Sequence, residues 1–197
     1  MKPSEWWMPV AQQAAFRAVL DGFARPGTLV QAPGPAADAT LMFLSTVLDE
    51  SVSLADPLEL LGADARRLLL APTAQADLAR FVLLDGRQPP DAAWQPALGT
   101  LEAPELGATL VLTVDALSDS AVATAESVVG LRLQGPGIPG IRQLSVTGLD
   151  RRWLARRAAW VGAFPLGVDL VLAAPDALTA LPRTTRIVVE PTQEAQT

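Results

Sequence analysis

A polar run, Arg183-Thr184-Thr185-Arg186, interrupts the most ordered stretch of the sequence, FPLGVDLVLAAPDALTALPRTTRIVVE at residues 164–190. A guanidinium beside two hydroxyls can grip an anion or a carboxylate through charge-assisted hydrogen bonds. Arg183 follows Pro182, whose fixed φ favours a tight turn. Strand alternation puts Ile187 and Val189 on one face and Arg186 and Val188 on the other. Arg183, Thr184 and Thr185 are therefore candidate interface or anion contacts. The favoured reading is a bend that fixes a subunit contact or the chain's own C-terminal fold, with phosphate binding a weaker option. The alternative is an ordinary turn whose threonines satisfy local backbone groups.

A second cluster lies in LDRRWLARRAAWV, residues 149–161. At helical spacing Leu149, Trp153 and Trp160 align, flanked by Arg152 and Arg156, while Arg157 falls inside the apolar arc. Tryptophan and arginine are enriched at interface hot spots, so Trp153, Arg156 and Trp160 are candidates for a partner-binding ridge. A core-facing helix with arginines snorkelling outwards accounts for the pattern equally well. In either case a buried Arg157 calls for a partner carboxylate.

Three further patterns carry less. Gly135-Pro136-Gly137-Ile138-Pro139-Gly140 matches G-x-G-x-x-G, but a strand rather than a helix is expected from Ile141 to Val146. No acidic residue follows at the ribose-binding distance either, so a turn is expected instead of a nucleotide site. Arg25-Pro26-Gly27-Thr28 could face a phosphate, although helix-stop chemistry explains it without a ligand. Asp49 and Glu50 read as a solvated loop.

The inventory limits the chemistry. Of 197 residues none is His, Cys or Tyr, and Lys2 is the only lysine. That removes a Ser-His-Asp triad, a cysteine nucleophile, thiolate or imidazole metal ligands, an iron–sulfur site and a Schiff-base lysine in the body of the chain. Carboxylates, hydroxyls and arginines remain. The net charge of −6 disfavours non-specific nucleic-acid binding. Residues 131–160 nonetheless carry six arginines against one aspartate, a docking surface or an internal electrostatic device. No apolar run approaches the roughly 18 residues of a membrane span. The opening Met1-Lys2-Pro3-Ser4-Glu5 lacks signal-peptide features, so a cytoplasmic protein is expected.

The elements that must position these residues follow from periodicity. A helix is expected from about Pro9 to Ala24, with Phe16, Val19, Leu20 and Phe23 as its buried stripe and Arg17 and Asp21 opposite. A short strand at Thr28–Val30, a helix at Asp38–Leu48 and a strand near Val52–Ala55 come next. Helical pieces are expected near 58–68 and 74–79, strands at 80–86, 108–114, 128–135 and 141–146, and a last helix at Leu149–Val161. Strands at Val168–Ala173, Leu178–Leu181 and Arg186–Val189 finish the chain. The long apolar runs favour a sheet covered on both faces. The expected fold is α/β, a mixed β-sheet with flanking helices, in one domain over 1–191 with a disordered tail at 192–197.

Four segments in this order resemble the PhnH family, a subunit of the bacterial carbon–phosphorus lyase core complex. They are FRAVLDGFARPGTLV (16–30), GTLEAPELGATLVLTV (99–114), LRLQGPGI (131–138) and the 164–190 stretch, whose F-P-L-G-V-D-L and P-R-T-T are the most specific. The segment from Gln31 to Pro96 is much less recognisable. The resemblance implies a PLP-dependent-transferase-like fold without the cofactor lysine, no bound cofactor, self-association as a homodimer, and assembly with PhnG, PhnI and PhnJ. It also implies a part in converting ATP and a phosphonate to a ribose 1-phosphonate 5-triphosphate, with radical cleavage carried out on PhnJ.

Two functions from different classes therefore stand. One is an accessory, assembly-forming subunit with catalysis in its partners, and it is favoured because no acid–base or nucleophile constellation is visible. The other is a stand-alone phosphate-ester or nucleotide-handling enzyme using arginine and carboxylates. With no lysine beyond Lys2, pyridoxal phosphate added to the isolated chain is expected to form no stable aldimine. A visible absorbance band that survives dialysis and disappears with borohydride would contradict this.

Overall fold

A computed structural model describes residues 8–33, 38–120 and 127–190. The expected frayed tail and the opening residues with Lys2 lie outside them. In chain order the elements are α1 (Pro9–Ala24), β1 (Val30–Gln31), α2 (Ala39–Val47), β2 (Leu54–Ala55), α3 (Ala63–Leu68), β3 (Phe81–Asp85) and β4 (Thr109–Thr113). They continue with β5 (Ala116–Ser118), β6 (Val128–Gln134), β7 (Arg142–Thr147), α4 (Arg152–Trp160), β8 (Asp169–Ala173), β9 (Ala177–Leu181) and β10 (Arg186–Val189).

The mixed α/β class holds, but the strands form two sheets rather than one. The first has the order β1-β9-β8-β4-β3-β2, in which β2, β3, β4 and β8 pair in parallel, β9 runs against them, and β1, antiparallel to β9, returns to their direction. The second, β10-β6-β7-β5, is wholly antiparallel. The apolar runs of β3, β4 and β8 alternate between two cores, as a sheet covered on both faces requires. Leu83, Val111 and Val171 face α1 and α2 through Val19, Met42, Phe43 and Leu44. Val82, Leu84, Leu110, Leu112, Leu170 and Leu172 face the second sheet and α4 through Leu131, Leu133, Leu144, Trp153 and Trp160. What covers that second face is therefore largely a sheet, where helices were expected.

Local departures have local causes. In α1 the buried positions are Ala15, Val19 and Gly22, whereas Phe16 and Leu20 are 49% and 52% exposed. Gly22 packs so closely on Val30 that a Cβ there would meet its Cγ2 at 2.9 Å. Small residues thus set the approach of the helix and turn the larger ones to its flank. The helical piece expected over 58–68 starts only at Ala63. Before it, the Asp56 carboxylate accepts from the N–H groups of Leu60 and Leu61, both at 2.9 Å, and holds a turn instead. Residues 74–79 form a single turn in which the Gln75 carbonyl accepts from Leu78 and Ala79. α2 begins where Asp38 accepts from Leu41 N–H at 3.1 Å, an N-cap of the expected kind.

The glycine-rich run 135–140 is the β6–β7 turn, closed by Ile138 N–H donating to the Gly135 carbonyl at 3.1 Å. A strand follows it, as the turn reading requires. Gly137 has φ +79°, and a Cβ there would run into the Ala24 carbonyl at the end of α1. The two glycine-bearing turns are thus packed against each other.

Candidate functional site

The bend at Pro182–Thr185 is where the chain leaves the first sheet at β9 and enters the second at β10. Thr185 N–H donates to the Pro182 carbonyl at 2.8 Å and closes the turn. Arg183 is committed inwards. Its backbone N–H donates to Asp169 Oδ1 at 2.7 Å, and its Nη2 to Asp169 Oδ2 at 2.9 Å. Nη1 donates to the carbonyls of Pro104 and Pro165 at 2.8 and 3.2 Å, so every side-chain nitrogen is engaged. This pair is largely shielded, with side-chain exposures of 12% for Arg183 and 22% for Asp169. Thr184 is exposed and Thr185 buried, so the two hydroxyls do not converge with the guanidinium on one point.

A second arginine closes the bend from below. Arg157 of α4 is 4% exposed, and its Nη2 donates to the carbonyls of Pro182 at 2.6 Å, Thr185 at 3.2 Å and Leu181 at 3.4 Å. The expected carboxylate contact is replaced by backbone carbonyls. Burial pulls its pKa down to about 10 while the field of Asp169 pushes it up, which leaves it charged at neutral pH.

Of the two readings of α4, a partner-binding ridge and a core-facing helix, the structure presents the second. Trp153 and Trp160 are 4% and 6% exposed and belong to the core. The reason is a third tryptophan that the sequence reading left unassigned. Trp94, in the loop after β3, packs edge-to-face on both, at centroid distances of 6.4 and 5.7 Å. Trp153 Nε1 donates to the Gln88 carbonyl at 2.7 Å. Arg156 lies 5.0 Å over the Trp160 ring and donates to the carbonyls of Ala92 and Trp94. These bonds tie α4 to the loop that precedes β4. On the far side of the tryptophans, Leu58, Leu60, Pro89, Pro90 and Asp85 line a cavity of about 710 Å³. The hydrogen bonds of Arg87 hold the Asp85 carboxyl below its ordinary range against the opposing effect of burial.

The Arg-Pro-Gly-Thr turn does meet an arginine. Arg142 Nη1 donates to the carbonyls of Arg25 and Pro26, both at 3.3 Å, and to Thr28 Oγ1. Beside it opens a cleft of about 790 Å³ lined by Thr28, Arg132, Arg142 and Gln143, with Asp119 and Glu190 also present. Chemically it offers one arginine, Arg132, that makes no hydrogen bond or ion pair among the described residues, next to one already held in place. Sequence reasoning missed Asp169, Trp94, Arg132 and Arg142. Asp169 had a signal: it is the only charged residue in the apolar run that opens the 164–190 stretch.

The bend geometry sets a clear expectation. Arg183→Ala strands the shielded Asp169 carboxylate and two carbonyls, at a cost of about 3 kcal/mol of folding stability. For a chain of this length that corresponds to a fall in Tm of roughly 6–12 °C, measured by calorimetry. An unchanged Tm would reduce the bend to a solvent-exposed turn.

The comparisons with known proteins agree over most of the chain. The model of the family described as "Bacterial phosphonate metabolism protein (PhnH)" matches residues 3–188. A protein of Stutzerimonas stutzeri, named as C-P lyase subunit protein HtxG, is 40% identical over 181 residues, 92% of this chain and 88% of its own length. The alpha-D-ribose 1-methylphosphonate 5-triphosphate synthase subunit PhnH of Rhizobium meliloti (strain 1021) is 31% identical over 186 residues, 89% of each chain. With its matched residues running from the start of α1 to β10, this chain belongs to the PhnH family.

Proposed function

We propose that this chain is an assembly-forming subunit of an enzyme complex that processes phosphonates, with the chemistry carried by other subunits. The observation that carries this reading is where the family's most specific motif is spent. Asp169 and Arg183, the charged residues of F-P-L-G-V-D-L and P-R-T-T, are paired with each other inside the fold rather than aimed at a substrate. The relatives' names, a C-P lyase subunit and a 5-triphosphate synthase subunit, support the same reading. The full sequence, with no histidine or cysteine, supports it from a second direction.

In this proposal the partners are PhnG, PhnI and PhnJ together with a second copy of the chain. The joint reaction links ATP and a phosphonate into a ribose 1-phosphonate 5-triphosphate in the cytoplasm. The relation to PLP-dependent transferases is one of fold, within a single domain, and carries no function on its own. The half-exposed Phe16 and Leu20 on the flank of α1 are apolar surface of the kind that subunit contacts cover. The Arg132 cleft favours a second reading, in which the chain itself holds a phosphorylated molecule.

Co-expression of this chain, tagged, with the three partner subunits separates the two. The expected outcome is stoichiometric co-purification, restored phosphonate utilisation in a strain lacking its own copy, and no ATP turnover by the isolated chain. Turnover of ATP by the isolated chain, or failure to join the partners, would contradict the assembly role.

A further inference from the structure

The second sheet ends in an edge that one hydrogen bond orients. Glu190 N–H donates to the Gly130 carbonyl at 2.8 Å, continuing the β10–β6 ladder in which Val188 faces Arg132 and Arg186 faces Gln134. Residues 186, 188 and 190 therefore turn their backbone groups towards β6. By alternation, Ile187 and Val189 turn theirs outwards. No other strand pairs with that side of β10 among the described residues. The side chains alternate the other way. Ile187 and Val189 pack on the core, while Val188 is 43% exposed and shares the outer face with Arg186 and Glu190. Neither Arg186 nor Glu190 forms an ion pair among the described residues.

We infer that β10 pairs antiparallel with β10 of a second copy about a two-fold axis at Val188, so that Arg186 of each chain faces Glu190 of the other. Among the described residues of this edge, free donors and acceptors sit only on Ile187 and Val189, so the bonded positions must match these residues with each other. Ile187 opposite Ile187 would set Arg186 against Val188, and Val189 opposite Val189 would set Glu190 against Val188. Ile187 opposite Val189 leaves no charge unmatched. It closes four backbone hydrogen bonds, puts Val188 on Val188 at the axis and forms two Arg186–Glu190 pairs. Those pairs fall at the non-hydrogen-bonded positions, where facing side chains lie closest. The two four-stranded sheets become one sheet of eight. An isologous contact of this kind closes on itself and covers an edge that would otherwise template uncontrolled strand addition. This inference rests on the proposed self-association and assigns it a surface.

The test uses the full chain, which has no native cysteine. Val188→Cys places two thiols across the axis at a spacing a disulfide can bridge, and mild oxidation is expected to give a covalent dimer. Leu20→Cys, on α1, is expected to give none. In sedimentation equilibrium, Arg186→Glu and Glu190→Arg should each weaken the dimer by about tenfold or more, since each replaces two attractive pairs by two repulsive ones. The double variant R186E/E190R should recover dimerisation. A wild-type dimer that both single variants leave unchanged, or that cross-links through Leu20→Cys and not Val188→Cys, overturns the edge contact while self-association stands. A wild-type chain that is monomeric at every concentration overturns both.

Discussion

The architecture depends on how the chain passes from one sheet to the other between Leu181 and Arg186. A crossover between packed layers takes carbonyls out of one ladder before they join the next, and buried carbonyls must find donors. Arginine suits the task because its guanidinium presents five donors in a rigid fork. Arg157 reaches three carbonyls of the bend from α4, and Arg183 joins it to Asp169 at the start of β8 and to the carbonyls of Pro104 and Pro165. Two guanidiniums thus hold the crossover, α4, β8 and the loop before β4 in one arrangement. Asp169 supplies the compensating charge, bonded directly to Arg183 and felt electrostatically by Arg157.

This arrangement also explains the uneven charge of the sequence. The arginine-rich segment 131–160 suggests a docking surface when read alone, yet most of its charges are used within the fold. Arg142 holds the turn after α1, Arg156 and Arg157 hold loops against α4, and Arg152 pairs with Asp150. Arg132 is left facing the cleft. Surfaces for partners therefore have to be sought elsewhere, on the flank of α1 and along the edge of β10.

Much of this was legible from the residues. Periodicity located α1, α2, α4 and the long strands, because an apolar run of five or six residues between turn formers has few other uses. That Arg186 and Val188 share one face of β10 followed from alternation, while the packing of Ile187 and Val189 on the core shows that this face is the outer one. The partition into two sheets did not, since β6 and β7 carry the same apolar alternation whichever sheet they join. The orientation of α1 was missed because Gly22 and Ala15, invisible to a search for large apolar side chains, decide how the helix approaches the sheet. The burial of Trp153 and Trp160 was one of two readings left open. Trp94 settles it from nearly 60 residues away, a distance over which sequence spacing carries no information.

The central claim is that the two-arginine clamp couples the sheets. Native-state hydrogen exchange on Arg183→Ala, read strand by strand, tests it most directly. The account predicts that amides of β10 and β6 lose protection well before those of β3 and β4, because the second sheet is released where the crossover loosens. Equal loss in every strand, or unaltered protection in β10, would contradict it.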